Sequence, residues 1–209
     1  MEESLFMKTW FTSDPHFGHA NVITYCNRPY ADVSEMNERL VKNWNDVVGL
    51  DDTVYCLGDF SLGFTAVEAY ARRLNGHKLL VPGNHDWCHP AHKKSRGDKL
   101  QGQLDNYKRY GFNVLPIQSC ISLPEIGEVN LCHLPYFGDT TDDRYPKYRL
   151  PDDGKVLICG HVHEKWKTKF TPLGTLMVNV GVDVWDQKPI SLDTLKATIL
   201  SELKNKSSS

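Results

Sequence analysis

The chain has 209 residues, 40% of them hydrophobic, with 24 Lys and Arg against 26 Asp and Glu for a formal net charge of −2. That length fits a single α/β domain over 1–209 with a substantial core, and the near-neutral balance lacks the broad positive footprint of a protein that grips extended duplex nucleic acid. No apolar run reaches membrane length and no signal peptide opens the chain, so a cytoplasmic protein with no membrane partner is expected. Three of the six cysteines, Cys56, Cys132 and Cys159, lie inside apolar runs and read as reduced core thiols.

In chain order, the first apolar run, Trp10-Phe11, reads as a strand leading into Asp14-Pro15-His16, with His19 close behind and Asn27-Arg28-Pro29 as a loop. Ser34 is placed to cap a helix over 34–48, whose core stripe is Leu40, Val41, Trp44 and Val48 at three-four spacing. The run 54–57 reads as a strand ending before Gly58-Asp59. A helix over 64–75 follows, with Val67, Tyr70, Ala71 and Leu74 inward and Gly76 as its stop. The run 79–81 precedes Gly83-Asn84-His85-Asp86. Cys88, His89 and His92 then offer three donors without a fourth partner, which favours a rim loop over an added zinc. Leu100, Leu104 and Tyr107 before Gly111 mark a further helix. The runs 129–132 and 156–159 lead to His133 and to Gly160-His161-Val162-His163, where a continued strand would point both histidines the same way. Between them, 135–151 mixes aromatic and charged residues and is a candidate substrate lid. Strands over 168–171 and 175–184, a short helix beyond Ser191 and a fraying tail over 203–209 complete the reading.

All five runs end in metal-ligand or proton-carrying residues. Side chains just past strand ends gather along the carboxyl edge of an open α/β sheet. Asp14, His16, Asp59, Asn84, His133, His161 and His163 are therefore candidates for one centre. Each block alone reads equally well as a turn, but five such turns at five strand ends do not. The donors outnumber the protein ligands of a single catalytic zinc and suit two metals sharing a carboxylate. Imidazole and carboxylate suit borderline divalent ions, manganese favoured, with iron, zinc or nickel compatible.

Asp14-x-His16, Gly58-Asp59, Gly83-Asn84-His85, His133 and Gly160-His161-x-His163, in that order, resemble the five-block signature of the calcineurin-like metallophosphoesterase superfamily. The stretches 14–19 and 27–29 are similar to a small phage and bacterial branch of it. The resemblance implies a four-layer αββα sandwich of two mixed β-sheets flanked by helices, with a dinuclear centre. It implies Asp14, His16 and His163 on one metal, Asn84, His133 and His161 on the other, Asp59 bridging, and His85 facing the substrate.

Two divalent ions about 3.5–4 Å apart bind phosphoryl oxygens and lower the pKa of a bridging water, so that hydroxide is available for in-line attack near neutral pH. His85 is then the expected proton donor to the leaving oxygen, with Asp86 a candidate to orient it. Arg28 is expected to meet a substrate phosphate through its guanidinium fork, and His19 and Asn84 are further candidate substrate contacts. The segment Phe60-Ser61-Leu62-Gly63 lacks the Asp-Arg pair of the superfamily's protein Ser/Thr phosphatases, which disfavours a protein substrate. The expected activity is hydrolysis of a small, nucleotide-like phosphodiester or phosphomonoester, the diester favoured. A manganese-dependent nuclease on short or structured nucleic acid is the alternative. A non-catalytic scaffold ranks below both, because the ligands and His85 are intact. Nothing in the sequence fixes an oligomeric state.

Overall fold

In the computed structural model, residues 7–139 and 143–208 are described. The strands are β1 (Thr9–Thr12), β2 (Thr53–Cys56), β3 (His77–Leu80), β4 (Phe112–Val114), β5 (Gln118–Leu123), β6 (Gly127–Cys132), β7 (Leu157–Cys159), β8 (Thr168–Phe170), β9 (Leu176–Asn179) and β10 (Ile190–Ser191). The helices are α1 (Ala20–Tyr25), α2 (Val33–Asn45), α3 (Phe64–Tyr70), α4 (Lys99–Arg109) and α5 (Leu192–Ser207). The strands form two mixed sheets, ordered β10-β1-β2-β3-β4 and β5-β6-β7-β9-β8. In the first, β1 to β4 run parallel and β10 antiparallel to β1. In the second, β6, β7 and β9 run parallel, with β5 and β8 antiparallel at the edges.

Strand alternation separates the core into layers. Val54, Cys56 and Leu80 turn outward from the first sheet onto Trp44, Val67 and Tyr107 of the helices. Phe11, Leu57 and Val81 turn inward onto Leu131, Ile158 and Val178 of the second sheet. Each such large side chain contributes about 1.5–3 kcal/mol by leaving water. Cys132, Leu157, Cys159 and Met177 form the second sheet's outer face, and Tyr145, Tyr148 and Leu150 pack over it. Helix α5 packs against β1, β9 and β10 and adds Leu195 and Ile199 to the inter-sheet layer. The architecture is the expected α/β sandwich, with the sheets' parallel strands presenting their carboxyl ends on one side.

Several boundaries differ from the sequence expectation. Helix α2 is capped by Asp32, whose Oδ1 accepts from Glu35 N at 2.9 Å while Glu35 Oε2 accepts from Ala31 N at 2.8 Å. This pair of bonds at the helix start makes Asp32, not Ser34, the cap. Helix α3 stops at Tyr70 and tightens into a 3₁₀ turn, Ala71–Arg73. Strand β9 ends at Asn179 because its Oδ1 accepts from Gly181 N at 2.8 Å and bends the chain. Helix α5 runs from Leu192 to Ser207, through much of the segment expected to fray, and is started by Ser191 Oγ accepting from Thr194 N at 3.1 Å. No helix among the described residues is long and apolar enough to cross a membrane.

Candidate active site

The five expected strand ends meet, drawn from both sheets. Asp14 and His16 follow β1, Asp59 follows β2, Asn84 follows β3, His133 follows β6, and His161 and His163 follow β7. Parallel pairing continues past the strands as Asp14 N to Gly58 O (3.0 Å) and His16 N to Asp59 O (3.1 Å). His161 N donates to Asp14 Oδ2 at 2.9 Å, tying one sheet's loop to the other's. The loops meet without room for a side chain on two motif glycines. A Cβ on Gly83 would strike Asp59, and one on Gly160 would strike Ser13 Oγ and Asp14 Oδ2.

The backbone is strained where the donors sit. Asp14, His16, Asp59, His161 and His163 have φ of 57°, 54°, 49°, 70° and 50°, a left-handed region that side-chain-bearing residues seldom occupy. Such strain clusters where a site over-determines the chain. It also corrects the strand geometry expected for 160–163. With two left-handed turns the histidines diverge: His163 joins Asp14 and His16, and His161 joins Asp59 and His133, the donor atoms of each group lying within 4.8 Å of one another.

Asp59 Oδ2 stands between the groups, 3.6 Å from His16 Nε2 and 3.3 Å from His133 Nε2. Asp14 Oδ1 is 3.8 Å from His16 Nε2 and 4.0 Å from His163 Nε2. Asp14 Oδ1, His16 Nε2, Asn84 Oδ1 and His133 Nε2 are buried and have no hydrogen-bond partner. Buried polar atoms are almost always paired, and these oxygen and nitrogen atoms are the donor types that borderline divalent ions take. The residues present therefore fit metal ions.

Three of the four candidate histidines have their other ring nitrogen held from behind, the arrangement that orients a metal-binding imidazole, whereas His16 Nδ1 has no partner. His133 Nδ1 lies 2.6 Å from Leu57 O, His163 Nδ1 lies 2.8 Å from Asp183 Oδ2, and His161 Nε2 lies 2.7 Å from Asp139 Oδ2, which leaves His161 Nδ1 for an ion. Burial lowers His16 well below the usual imidazole range, and Asp59 only partly offsets it. Burial also acts on His133, but Asp59 beside it carries it up to about 9, and the hydrogen bond to Asp183 carries His163 to about 11. Burial pushes Asp59 up, yet His133 and His16 outweigh it and hold the carboxyl well below its usual range.

The other sequence candidates separate. His85 is half exposed, its Nε2 4.0 Å from Asp59 Oδ2, and its backbone N–H donates to Asp59 Oδ1 at 2.8 Å. Asp86 does not orient it. That carboxylate is buried and accepts from Asp59 N (2.9 Å), Phe60 N (3.1 Å) and Gly83 N (2.8 Å), which clamps two ligand loops together. Burial, with Asp59's charge, raises Asp86 to about 7. His19 lines the cleft, its ring 5.3 Å from that of His16.

Arg28, expected to meet a substrate phosphate, is buried and does not line the cleft. Its side chain is buried against Asp183, with Nε at 2.7 Å from Oδ1 and Nη2 at 3.0 Å from Oδ2, and it donates to Asp14 O and Pro15 O. Asn27-Arg28-Pro29 is thus a brace for the first ligand loop, because all the fork's geometry is consumed internally. Nor do Cys88, His89 and His92 gather as ligands. His89 Nδ1 accepts from Ala91 N and His92 Nδ1 from Lys94 N. In 135–151 the three tyrosines tuck onto the second sheet, Phe137 stays exposed and Arg144 reaches the cleft, while Asp142 falls outside the described residues.

A cleft of about 410 Å³ opens beside the two groups. His16, Asp59, His161 and His163 lie along it with His85, and Tyr25, Cys26, Arg144 and Lys165 line it as well. Sequence reasoning gave Asp183 and Lys165 no place at the site and placed Asp139 and Arg144 only within the candidate lid 135–151. Asp183 lies 155 positions from Arg28, and no local pattern announces that pairing.

The profile of the calcineurin-like phosphoesterases matches residues 7–165. The "Gene 66 protein" of Mycobacterium phage L5 is 38% identical over 188 residues, 85% of this chain and 87% of that protein. An uncharacterised protein of Methanocaldococcus jannaschii is 34% identical over 194 residues, covering 90% and 89%. A crystal structure of a protein of unknown function from Aquifex aeolicus superposes with a TM-score of 0.65 at 27% identity, covering 92% of this chain and all of that one. Five donor-bearing strand ends on a two-sheet sandwich and a match across most of the sequence agree: the chain belongs to the calcineurin-like phosphoesterase family.

Proposed function

We propose that the chain is a dinuclear metal-dependent phosphodiesterase acting on a small, nucleotide-like substrate, with manganese the preferred ion. The observation that carries this reading is Asp59 Oδ2, set within 3.6 Å of one donor group and 3.3 Å of the other at the floor of an open cleft. Asp14, His16 and His163 would hold one ion, Asn84, His133 and His161 the other, and Asp59 both. Bound there, divalent ions supply Lewis-acid charge for phosphoryl oxygens and an activated water.

The chain's own groups do the rest. Buried donors braced by Leu57 O, Asp139 and Asp183 keep the ligand rings oriented, so little reorganisation is needed when substrate arrives. His85 Nε2, beside Asp59 and partly open to the cleft, hands a proton to the departing oxygen. The test compares bis-p-nitrophenyl phosphate, p-nitrophenyl phosphate and an alkyl-leaving-group diester with added manganese. The diesters are expected to turn over faster than the monoester. His85→Ala is expected to reduce turnover of the alkyl diester by about 100-fold, within the range for general acid catalysis, while metal content stays unchanged. Full turnover by His85→Ala on that substrate would remove the proton-donor role. Preference for the monoester would overturn the diesterase assignment.

A further inference from the structure

The cleft has two unlike walls. On one side α1 presents Tyr25, whose side chain is 69% exposed although it is large and aromatic. Its ring meets His19 edge-on at 6.3 Å, and His19 in turn lies 6.4 Å from His85. Tyr25 therefore stands one ring beyond the groups at the reacting centre, the separation a sugar spans between a phosphate and a base. On the other side stand Arg144 and Lys165. Arg144 Nη2 is 3.2 Å from His161 Nε2, which puts a planar guanidinium next to one donor group. Asp139 is paired most closely with Arg149 at 2.8 Å and with His161, and Arg144 reaches it only at 3.7 Å, leaving its side chain 52% exposed. Lys165 Nζ is steered to the rim by Asp139 O at 2.7 Å. The one carboxylate lining the cleft among the described residues is Asp59, a candidate ligand, so the rim beyond the centre is cationic.

We propose that this cleft is a nucleotide site in which Tyr25 carries the base while Arg144, helped by Lys165, takes the phosphoryl oxygens. A guanidinium fork matches two phosphoryl oxygens in a way a point charge does not, and an exposed tyrosine offers a face to any base at low entropic cost. The assignment gives Arg144 the phosphate contact that buried Arg28 cannot make. It rests on the hydrolase reading for the position of the phosphate, and the two are tested separately.

Calorimetric titration of the manganese-loaded full chain with adenosine 5′-monophosphate and with ribose 5-phosphate isolates the base, since the second ligand carries only an anomeric hydroxyl where the first carries adenine. The nucleotide is expected to bind about tenfold more tightly, in line with the usual worth of stacking on an aromatic side chain. Tyr25→Ala should bring that ratio close to one and Tyr25→Phe should keep it. Arg144→Ala should weaken both ligands by about tenfold and leave their ratio intact, as expected for lost charge-assisted bonds to phosphate. Equal affinities in the unaltered protein, or a ratio preserved in Tyr25→Ala, would overturn the base platform. Unchanged binding in Arg144→Ala would overturn the phosphate contact. Hydrolysis of bis-p-nitrophenyl phosphate by the same preparation reports on the other reading: an inactive protein that still prefers the nucleotide keeps this proposal and loses that one, and an active protein with a ratio of one does the reverse.

Discussion

Asp183 shows how much of the site is carried by residues with no motif of their own. Its Oδ2 faces His163 Nδ1 at 2.8 Å, and both its oxygens are held by Arg28, which also donates to the carbonyls of Asp14 and Pro15. One buried ion pair thus fixes a candidate ligand ring and the backbone of two neighbours. Asp183→Asn should lower the affinity of the Asp14, His16 and His163 group by about 10–100-fold, the usual cost of losing such a support. Metal titration would then show one of two ions lost first, and two ions retained with unchanged affinity would contradict the role. His89 gives a separate test by pH. Burial above all, with His133's charge, lowers it to about 4 from an unfolded value near 6.5. Between those values the unfolded chain binds the extra proton, so stability falls as pH drops from about 6.5 to 4, by up to about 3 kcal/mol from this residue. In His89→Gln that part of the acid sensitivity should vanish in urea melts across the window, and a slope identical to that of the unaltered protein would contradict it.

Elements place these residues, and their legibility followed their locality. The five donor-bearing strands were readable because each is a short, mostly apolar run, three of them closed directly by Gly58, Pro82 and Gly160. The helical stripe of Leu40, Val41 and Trp44 was readable because its spacing repeats, and all three are buried. What the sequence misplaced depends on contacts outside the local window: the Asp32–Glu35 bond that moved a cap, the Asn179 side chain that ended β9, and Leu195 and Ile199, whose burial anchors α5. The loop of 160–163 was misread as strand because its left-handed residues are not glycine. That conformation is held by Gly160 packed on Ser13 and Asp14. Gly160→Ala should therefore push the two sheets' loops apart and abolish metal retention, while α2 and the first sheet, which pack among themselves, keep their far-ultraviolet signature. Full metal content in a folded Gly160→Ala protein would contradict the close-approach argument.

At the scale of the molecule, the fold is a means of presenting donors from two sheets at one place. Neither sheet holds a complete set: Asp14, His16, Asp59 and Asn84 come from the first, and His133, His161 and His163 from the second. The inter-sheet layer of Phe11, Leu57, Leu131 and Val178 therefore sets the geometry of the centre as well as the stability of the chain. The family and the convergence of the candidate ligands were legible in the sequence because the motif residues keep their order. Of Tyr25, Arg144 and Lys165 on the cleft's walls only Arg144 was flagged, within the candidate lid 135–151, because Tyr25 and Lys165 are ordinary residues until the fold gathers them. The account stands on the pairing of two donor groups through Asp59. Elemental analysis of the purified full chain, after dialysis against metal-free buffer, tests this most directly. About two divalent transition-metal ions per chain are predicted, with both weakened together in Asp59→Asn because each group loses the shared carboxylate. A single ion per chain, or two ions whose retention is indifferent to Asp59→Asn, would contradict it.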